Sequence, residues 1–211
     1  MNGIFYIAGP DGSGKTSYLT EFEQKLVQKG FSTKHIWIRS PKILSKPLMG
    51  YCRLVGLTKY STINGIKYCR RQHYKSALVS WLFPILQLID FKIKWFFEKK
   101  RLNKGSILLF DRFNLDTMAD LMVDTKKYNL HKTWVGKQFL KMTPENIKII
   151  FLKVNENTIR SRKSDTLHDE HLQEKIEVFK ILSEDLKIKV IDNNRDFNLV
   201  KQEIFNFFDN V

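Results

Sequence analysis

The stretch GPDGSGKTS, residues 9–17, is the part of the sequence whose residue types and spacing most directly suggest chemistry. Gly9-x-x-x-x-Gly14-Lys15-Thr16 is the complete pattern of a phosphate-binding loop. Glycine loses more freedom on folding than any other residue, so Gly9, Gly12 and Gly14 together imply a backbone forced into tight turns. Such a loop bares its N–H groups and leads into a helix N-terminus, where the dipole favours anions. Gly9, Gly12, Ser13, Gly14, Lys15, Thr16 and Ser17 are the expected nucleotide-binding set. Lys15 would reach the β- and γ-phosphates, and the Thr16 hydroxyl would sit on Mg²⁺.

A second chemical element lies in SILLFDRFNLD. Asp111 follows four apolar residues, the form of a strand-end carboxylate that holds Mg²⁺ or its water shell. A turn or N-cap aspartate is the structural alternative. Arg112 is a permanently charged fork suited to bidentate phosphate recognition.

The elements that must position these residues follow from the apolar pattern. Strands are expected at Gly3–Ala8, His35–Arg39, Ser106–Phe110, Ile147–Lys153 and Lys187–Ile191. Helices are expected at 15–29, 74–101, 131–141, 155–164, 168–184 and 198–209, with Gly30 closing the first. Leu78, Leu82, Ile85, Ile89, Ile93 and Phe96 fall at steps of three and four, a stripe expected to face the core, with Pro84 kinking that helix. Residues 40–73 read as irregular and mobile. Alternating strands and helices predict a three-layer α/β fold with a parallel sheet, whose ligands bind beyond the carboxyl ends of the strands.

With 211 residues, 43% of them hydrophobic, the chain reads as one domain, 1–211, with a substantial core. Cys52 and Cys69 are too few for a disulfide scaffold and read as free thiols, and no leader or spanning segment is evident, so a cytoplasmic protein is expected. Residues 34–104 hold sixteen Lys/Arg against two acids, which is the whole of the +14 net charge. A solvated basic face would explain some of this, but the concentration in one segment favours an anionic partner.

GPDGSGKTS, IRSP after the second strand, FDRF after the third, IIFLKVNENTIRSRK after the fourth and KVIDNN before the closing helix occur in the order of one family. Over nearly its whole length the chain resembles the thymidylate kinase group of nucleoside monophosphate kinases. The glycine loop is generic; the Asp-Arg-aromatic triplet and the later arginine pair narrow the match. The resemblance implies a P-loop NTPase fold of the nucleoside monophosphate kinase type. It would have a five-stranded parallel sheet flanked by helices, an acceptor region at about 39–104 and a short lid at about 156–170. It also implies transfer of the ATP γ-phosphoryl group, with Mg²⁺, to a nucleoside monophosphate, dTMP first. On the same ground Asp11 faces the acceptor sugar, Arg39 is a strand-end arginine of the acceptor site, and Arg112 holds the acceptor phosphate. Arg160, Arg162 and Lys163 match the lid that clamps ATP. Lys15, Asp11, Arg112, Arg160 and Arg162 are thus the expected catalytic set.

The loop has no cation between Gly9 and Gly14, so the lid arginines would have to stabilise the transition state. A solvated helix face is the alternative for Arg160 and Arg162. Asp116 either faces an acceptor hydroxyl or is an exposed aspartate at a helix start. Homodimers are usual in the resembled family. The segment GLTKYSTINGIKYCRRQHYKS differs from its usual acceptor region, and NLDTMADLMVDTKKYNL resembles a divergent branch linked to bacterial surface polysaccharides. A sugar or sugar phosphate is therefore an alternative acceptor. A further alternative is a basic, nucleotide-regulated protein on an anionic membrane, through KIKWFFEKKRLNK at 92–104, or on nucleic acid. No nucleic-acid recognition motif is present.

Overall fold

The computed structural model describes residues 3–63, 65–102, 105–163 and 166–209. In chain order the first half runs β1 (Ile4–Ala8), α1 (Lys15–Gln28), β2 (Thr33–Trp37), α2 (Lys46–Leu54), β3 (Thr58–Ile63), β4 (Ile66–Arg71) and α3 (Ala77–Lys100). The second half runs β5 (Ile107–Arg112), α4 (Asn114–Thr125), α5 (Trp134–Leu140), β6 (Ile147–Lys153), α6 (Glu156–Arg162), α7 (Leu172–Asp185), β7 (Lys189–Asp192) and α8 (Phe197–Asp209). Strands β2, β5, β1, β6 and β7 lie in that order in one five-stranded sheet, with all neighbours parallel.

The central strands are apolar on both faces, as a sheet covered on both sides requires. Phe5 and Ile7 of β1 pack with Tyr18, Leu19, Phe22, Val200 and Ile204, so α1 and α8 cover one face. Tyr6 and Ala8, on alternate positions, pack with residues of α3, α4, α5 and α7 on the other. The three-layer fold and its five-stranded parallel sheet are as the sequence implies. Side-chain caps start several of the helices: Ser76 accepts from Val79 N–H, Thr133 from Gly136 N–H and Asn155 from Thr158 N–H.

Three expectations are corrected. Residues 40–73 are not irregular: they contain α2 and an antiparallel hairpin, β3–β4, which stands outside the main sheet. Most of the described β3 and β4 side chains are exposed, so no apolar alternation announces the hairpin; the pairing is local. Residues 114–125, to which the pattern assigns no element, form α4. The stripe on α3 faces the wrong way for a core stripe. Leu78, Ile89 and Phe96 are exposed, while Val79, Phe83, Gln87, Asp90, Phe91 and Trp95 are buried. The helix is apolar on nearly every side, and two buried polar residues decide its orientation. Asp90 accepts from the N–H groups of Ile43, Leu44 and Ser45, and Gln87 donates to Pro41 O. These bonds fix the chain leaving β2 against α3. The helix continues through Pro84 without a break.

Candidate active site

The glycine loop joins β1 to α1 at the carboxyl edge of the sheet. Gly12 and Gly14 lie at φ of +80° and +88°, where a side chain would be strained. A Cβ on Gly12 would also meet Ile159 Cγ2 at 2.9 Å, so the loop and α6 approach as closely as glycine permits. Asn193, just beyond β7, supports the loop from below: its amide donates to Ser13 O at 2.7 Å and accepts from Tyr18 OH at 2.5 Å. Lys15 is buried and donates to Gly9 O and Pro10 O, each at 2.7 Å. Burial pushes its ammonium down to about 8. Ser17 is exposed on the first turn of α1.

Thr16 and Asp111 are brought together. The Thr16 hydroxyl donates to Asp111 Oδ2 at 2.8 Å, while Asp111 Oδ1 is buried with no partner among the described residues. Burial raises the Asp111 carboxyl, partly offset by the Thr16 bond and by Lys15. A hydroxyl and an unsatisfied carboxylate oxygen side by side fit a hard divalent cation such as Mg²⁺. Among the described residues no group of three or more His, Cys, Asp or Glu could hold a metal.

Beside this pair lies a charge network. Arg39, just beyond β2, donates to Asp11 Oδ2 at 2.9 Å and grips Asp120 through Nε and Nη2 at 2.9 and 3.1 Å. Arg112, at the end of β5, is ion-paired with Asp11 and with Asp116, the latter at 3.2 Å. Asp11 thus sits between two guanidinium groups. Burial would raise the Asp120 carboxyl, but Arg39 overrides it and holds it well below the usual carboxylate range. Asp120 in turn pushes Arg39 up, against the desolvation cost.

Asp116 is not an exposed helix-start residue. It is buried, accepting from Tyr6 OH at 2.5 Å and from Phe113 N–H at 3.2 Å, so it closes the start of α4 and holds Arg112. Arg160 is not brought to the loop. Its guanidinium bonds Glu156 and the carbonyl oxygens of Thr166, Leu167 and Asp169, tying down the turn that follows α6. A fork of five donors suits such a fan of carbonyls. Arg162 does reach the loop's support, donating to Asn193 O at 3.1 Å. Residues 164 and 165 of the expected lid lie outside the described residues.

A cavity of about 690 Å³ opens from Arg39 and Asp120 and runs beneath the hairpin. Its walls include Trp37, Tyr60, Tyr68 and the charged residues Lys59, Arg70 and Arg71. Arg71 pairs with Asp124 at 3.0 Å, and Asp124 pushes it up. Across the opening, Arg70 pairs with Glu170 at 2.8 Å and Tyr68 meets His168 edge-on at 5.6 Å. The hairpin and the turn after α6 thus face each other over the cavity. Of the residues weighed in sequence for the base contact, Arg70, Arg71, Tyr74, Trp81 and Phe83, only Arg70 and Arg71 line the cavity. Asp120 and Asp124 are site residues that the sequence reading does not name, although a signal for them exists: Asp116, Asp120 and Asp124 recur every fourth residue, one face of a helix.

No family model matches the chain, and no curated protein matches it in sequence. Solved structures do match in fold. A deoxyadenosine kinase from M. mycoides with bound dATP superposes with a TM-score of 0.54 at 17% identity, covering 97% of this chain and 98% of that one. A thymidylate kinase from Candida albicans superposes with a TM-score of 0.59 at 16% identity, covering 99% of this chain and 91% of that one. Both likenesses span nearly the whole chain, which has the thymidylate kinase-like fold of the nucleoside monophosphate kinases.

Proposed function

We propose that the protein is an ATP-dependent phosphotransferase that moves the γ-phosphoryl group to an acceptor held in the cavity beyond β2 and β5. The observation that carries this reading is the juxtaposition of the glycine loop and its Thr16–Asp111 pair with Asp11, held between Arg39 and Arg112 at the cavity's inner end. Lys15 and the loop amides would bind the phosphates, and Thr16 and Asp111 the Mg²⁺, which would shield developing charge. Arg162, on Asn193, and Lys163, whose Cβ lies 3.4 Å from where a Cβ on Gly12 would stand, are the lid cations placed to join them, whereas Arg160 is the strut that holds the lid turn. Phosphoryl transfer asks for positioning and positive charge rather than covalent chemistry from the protein.

A nucleoside monophosphate is the first acceptor class, with dTMP its leading member; Arg39 and Arg112 would receive its phosphate. For that, Asp11 must give up its two arginines to the incoming phosphate. The fold neighbours include a nucleoside kinase as well as a nucleotide kinase, and one observation favours a second reading. Arg39 and Arg112 already share three carboxylates, Asp11, Asp116 and Asp120, so the pair has no positive charge in excess for a dianion. An acceptor hydroxyl would instead find Asp11 as its base: its oxygen attacks the γ-phosphorus, Asp11 takes its proton, and ADP leaves. A sugar or a nucleoside would be such an acceptor.

ADP release from Mg·ATP, with dTMP, other nucleoside monophosphates, nucleosides and sugars each added in turn, tests both readings. Stimulation by dTMP or another monophosphate supports the first; stimulation by nucleosides or sugars alone supports the second. Turnover unaffected by Lys15→Ala would remove the loop from the mechanism.

A further inference from the structure

The walls of the cavity beneath the hairpin are not electrically balanced. Every carboxylate among the described lining residues is already paired: Asp120 with Arg39, Asp124 with Arg71, Asp169 with Lys175 and Glu170 with Arg70. Lys42 and Lys59 are the wall cations left without one. Lys59 belongs to a hairpin face that points at the opening. In the β3–β4 register Lys59 lies directly opposite Arg70 and Ser61 opposite Tyr68, and residues two apart on a strand share a face. The same face makes the contacts that cross to the turn after α6, Arg70 with Glu170 and Tyr68 with His168. Like charges directly opposite on neighbouring strands destabilise a hairpin, and this one, with most of its described side chains in water, has little apolar packing to offset the repulsion. The two ends of the cavity also hold their pairs differently. At the inner end the Arg39 and Asp120 side chains are 26 and 12% exposed, and such a pair is costly to break. Arg70 and Glu170, at the mouth, are 48 and 61% exposed, and a pair this open to water contributes little. A ligand's anion can therefore take Glu170's place on Arg70, whereas it cannot readily displace Asp120 from Arg39.

We propose that Lys59 and Arg70 form a second anion site at the mouth of the cavity, and that the acceptor carries a matching anionic group remote from the one that receives the phosphoryl. That the ligand is an acceptor rests on the phosphotransfer reading; that this end of the cavity takes an anion rests on its walls alone. The matching group is a phosphate or a carboxylate, the two anions that a guanidinium fork bonds at two oxygens. Lys59 adds a point charge beside the fork, and Ser61, exposed on the same face, adds a hydroxyl. Glu170 stands in for the ligand's anion and competes with it. A cavity of about 690 Å³ lies within the range that encloses a small-molecule ligand of this kind.

Cys69 supplies a readout that needs no turnover. It lines the cavity and is exposed, whereas Cys52 is buried, so the rate of its alkylation by iodoacetamide reports occupancy. With the glycine loop filled by Mg·ADP, protection is measured for glucose 1-phosphate against glucose 1,6-bisphosphate and glucuronate 1-phosphate, and for dTMP against thymidine 3′,5′-bisphosphate. At least one two-anion ligand should protect at a concentration about tenfold or more below that of its one-anion counterpart. A larger gain for the bisphosphates identifies phosphate as the matching group, and a larger gain for the glucuronate identifies carboxylate. The gain should vanish in the double variant Lys59→Gln, Arg70→Gln. Glu170→Gln should act in the opposite sense, tightening two-anion ligands about two- to fivefold because a competing carboxylate is gone; a mere strut between hairpin and turn would loosen binding when cut. The proposal is overturned if no two-anion ligand outdoes its counterpart, if the gain survives the double variant, or if Glu170→Gln weakens it. Turnover separates this outcome from that of the phosphotransfer reading. Protection without ADP release leaves the anion site standing and removes the kinase, whereas ADP release with dTMP and no gain from a second anion removes the site and leaves the kinase.

Discussion

Asp120 is where the site's electrostatics are most sharply drawn. Its carboxylate is held by the Arg39 fork, and removing it breaks a largely buried two-point pair, leaving Arg39 only Asp11, which Arg112 also holds. Asp120→Asn should therefore destabilise the fold by about 3 kcal/mol, read from denaturant melts. The pH dependence has a definite sign. The folded carboxyl is depressed below its unfolded value of about 3.9, so its stabilisation is present above that pH and is lost as pH falls through the folded value. The variant's stability should consequently fall less steeply below about pH 4 than the native chain's. Equal slopes would mean that Arg39 is not its effective partner. The lid arginines divide similarly. Arg162→Ala should lower kcat by about 10³-fold, whereas Arg160→Ala should act mainly through loosening of the 166–169 turn. If turnover instead depends on Arg160 and not on Arg162, the assignment of the two is reversed.

Among the elements, the β3–β4 hairpin has no part in the parallel sheet and lines the cavity instead. Replacing residues 58–71 by a short flexible linker should leave ATP affinity intact and raise the acceptor KM by about tenfold or more, as loss of uniform binding would. A matching loss of ATP affinity would tie the hairpin to the loop side. Its legibility in sequence also differed from that of the sheet. Strands β1, β5 and β6 are apolar on successive residues because both faces are covered, and such runs stand out. The hairpin satisfies its backbone internally and leaves most of its side chains in water, so no apolar period marks it. The orientation of α3 was hidden for the opposite reason, since apolar residues surround it. Only the contacts of Gln87 and Asp90 with residues 41–45 choose its face.

Over the whole molecule, the loop, Thr16, Asp111 and Arg112 could be placed from sequence because each lies at or just beyond the end of a strand of the central sheet, and the topology carries those ends to one edge. Asp120, Asp124 and Arg71 could not, because their meeting depends on how α4 and the hairpin sit in three dimensions. Packing constrains the layers equally at a distance from the site. A Cβ on Gly136 would lie 2.1 Å from Leu130 O and 2.4 Å from His131 Cα, both backbone atoms that cannot swing aside. Gly136→Ala should cost about 2–3 kcal/mol and lower Tm by roughly 4–12 °C for a chain of this length. A native-like melt would show that α5 can shift without loss. The three aspartates of α4 bear on folding fidelity as well. Each meets an arginine from a different part of the chain: Arg112 on β5, Arg39 beyond β2 and Arg71 on β4. A slip of α4 by one residue turns its face by about 100° and would break all three ion pairs at once. The ladder therefore serves as a register pin, penalising every misaligned seating of the helix.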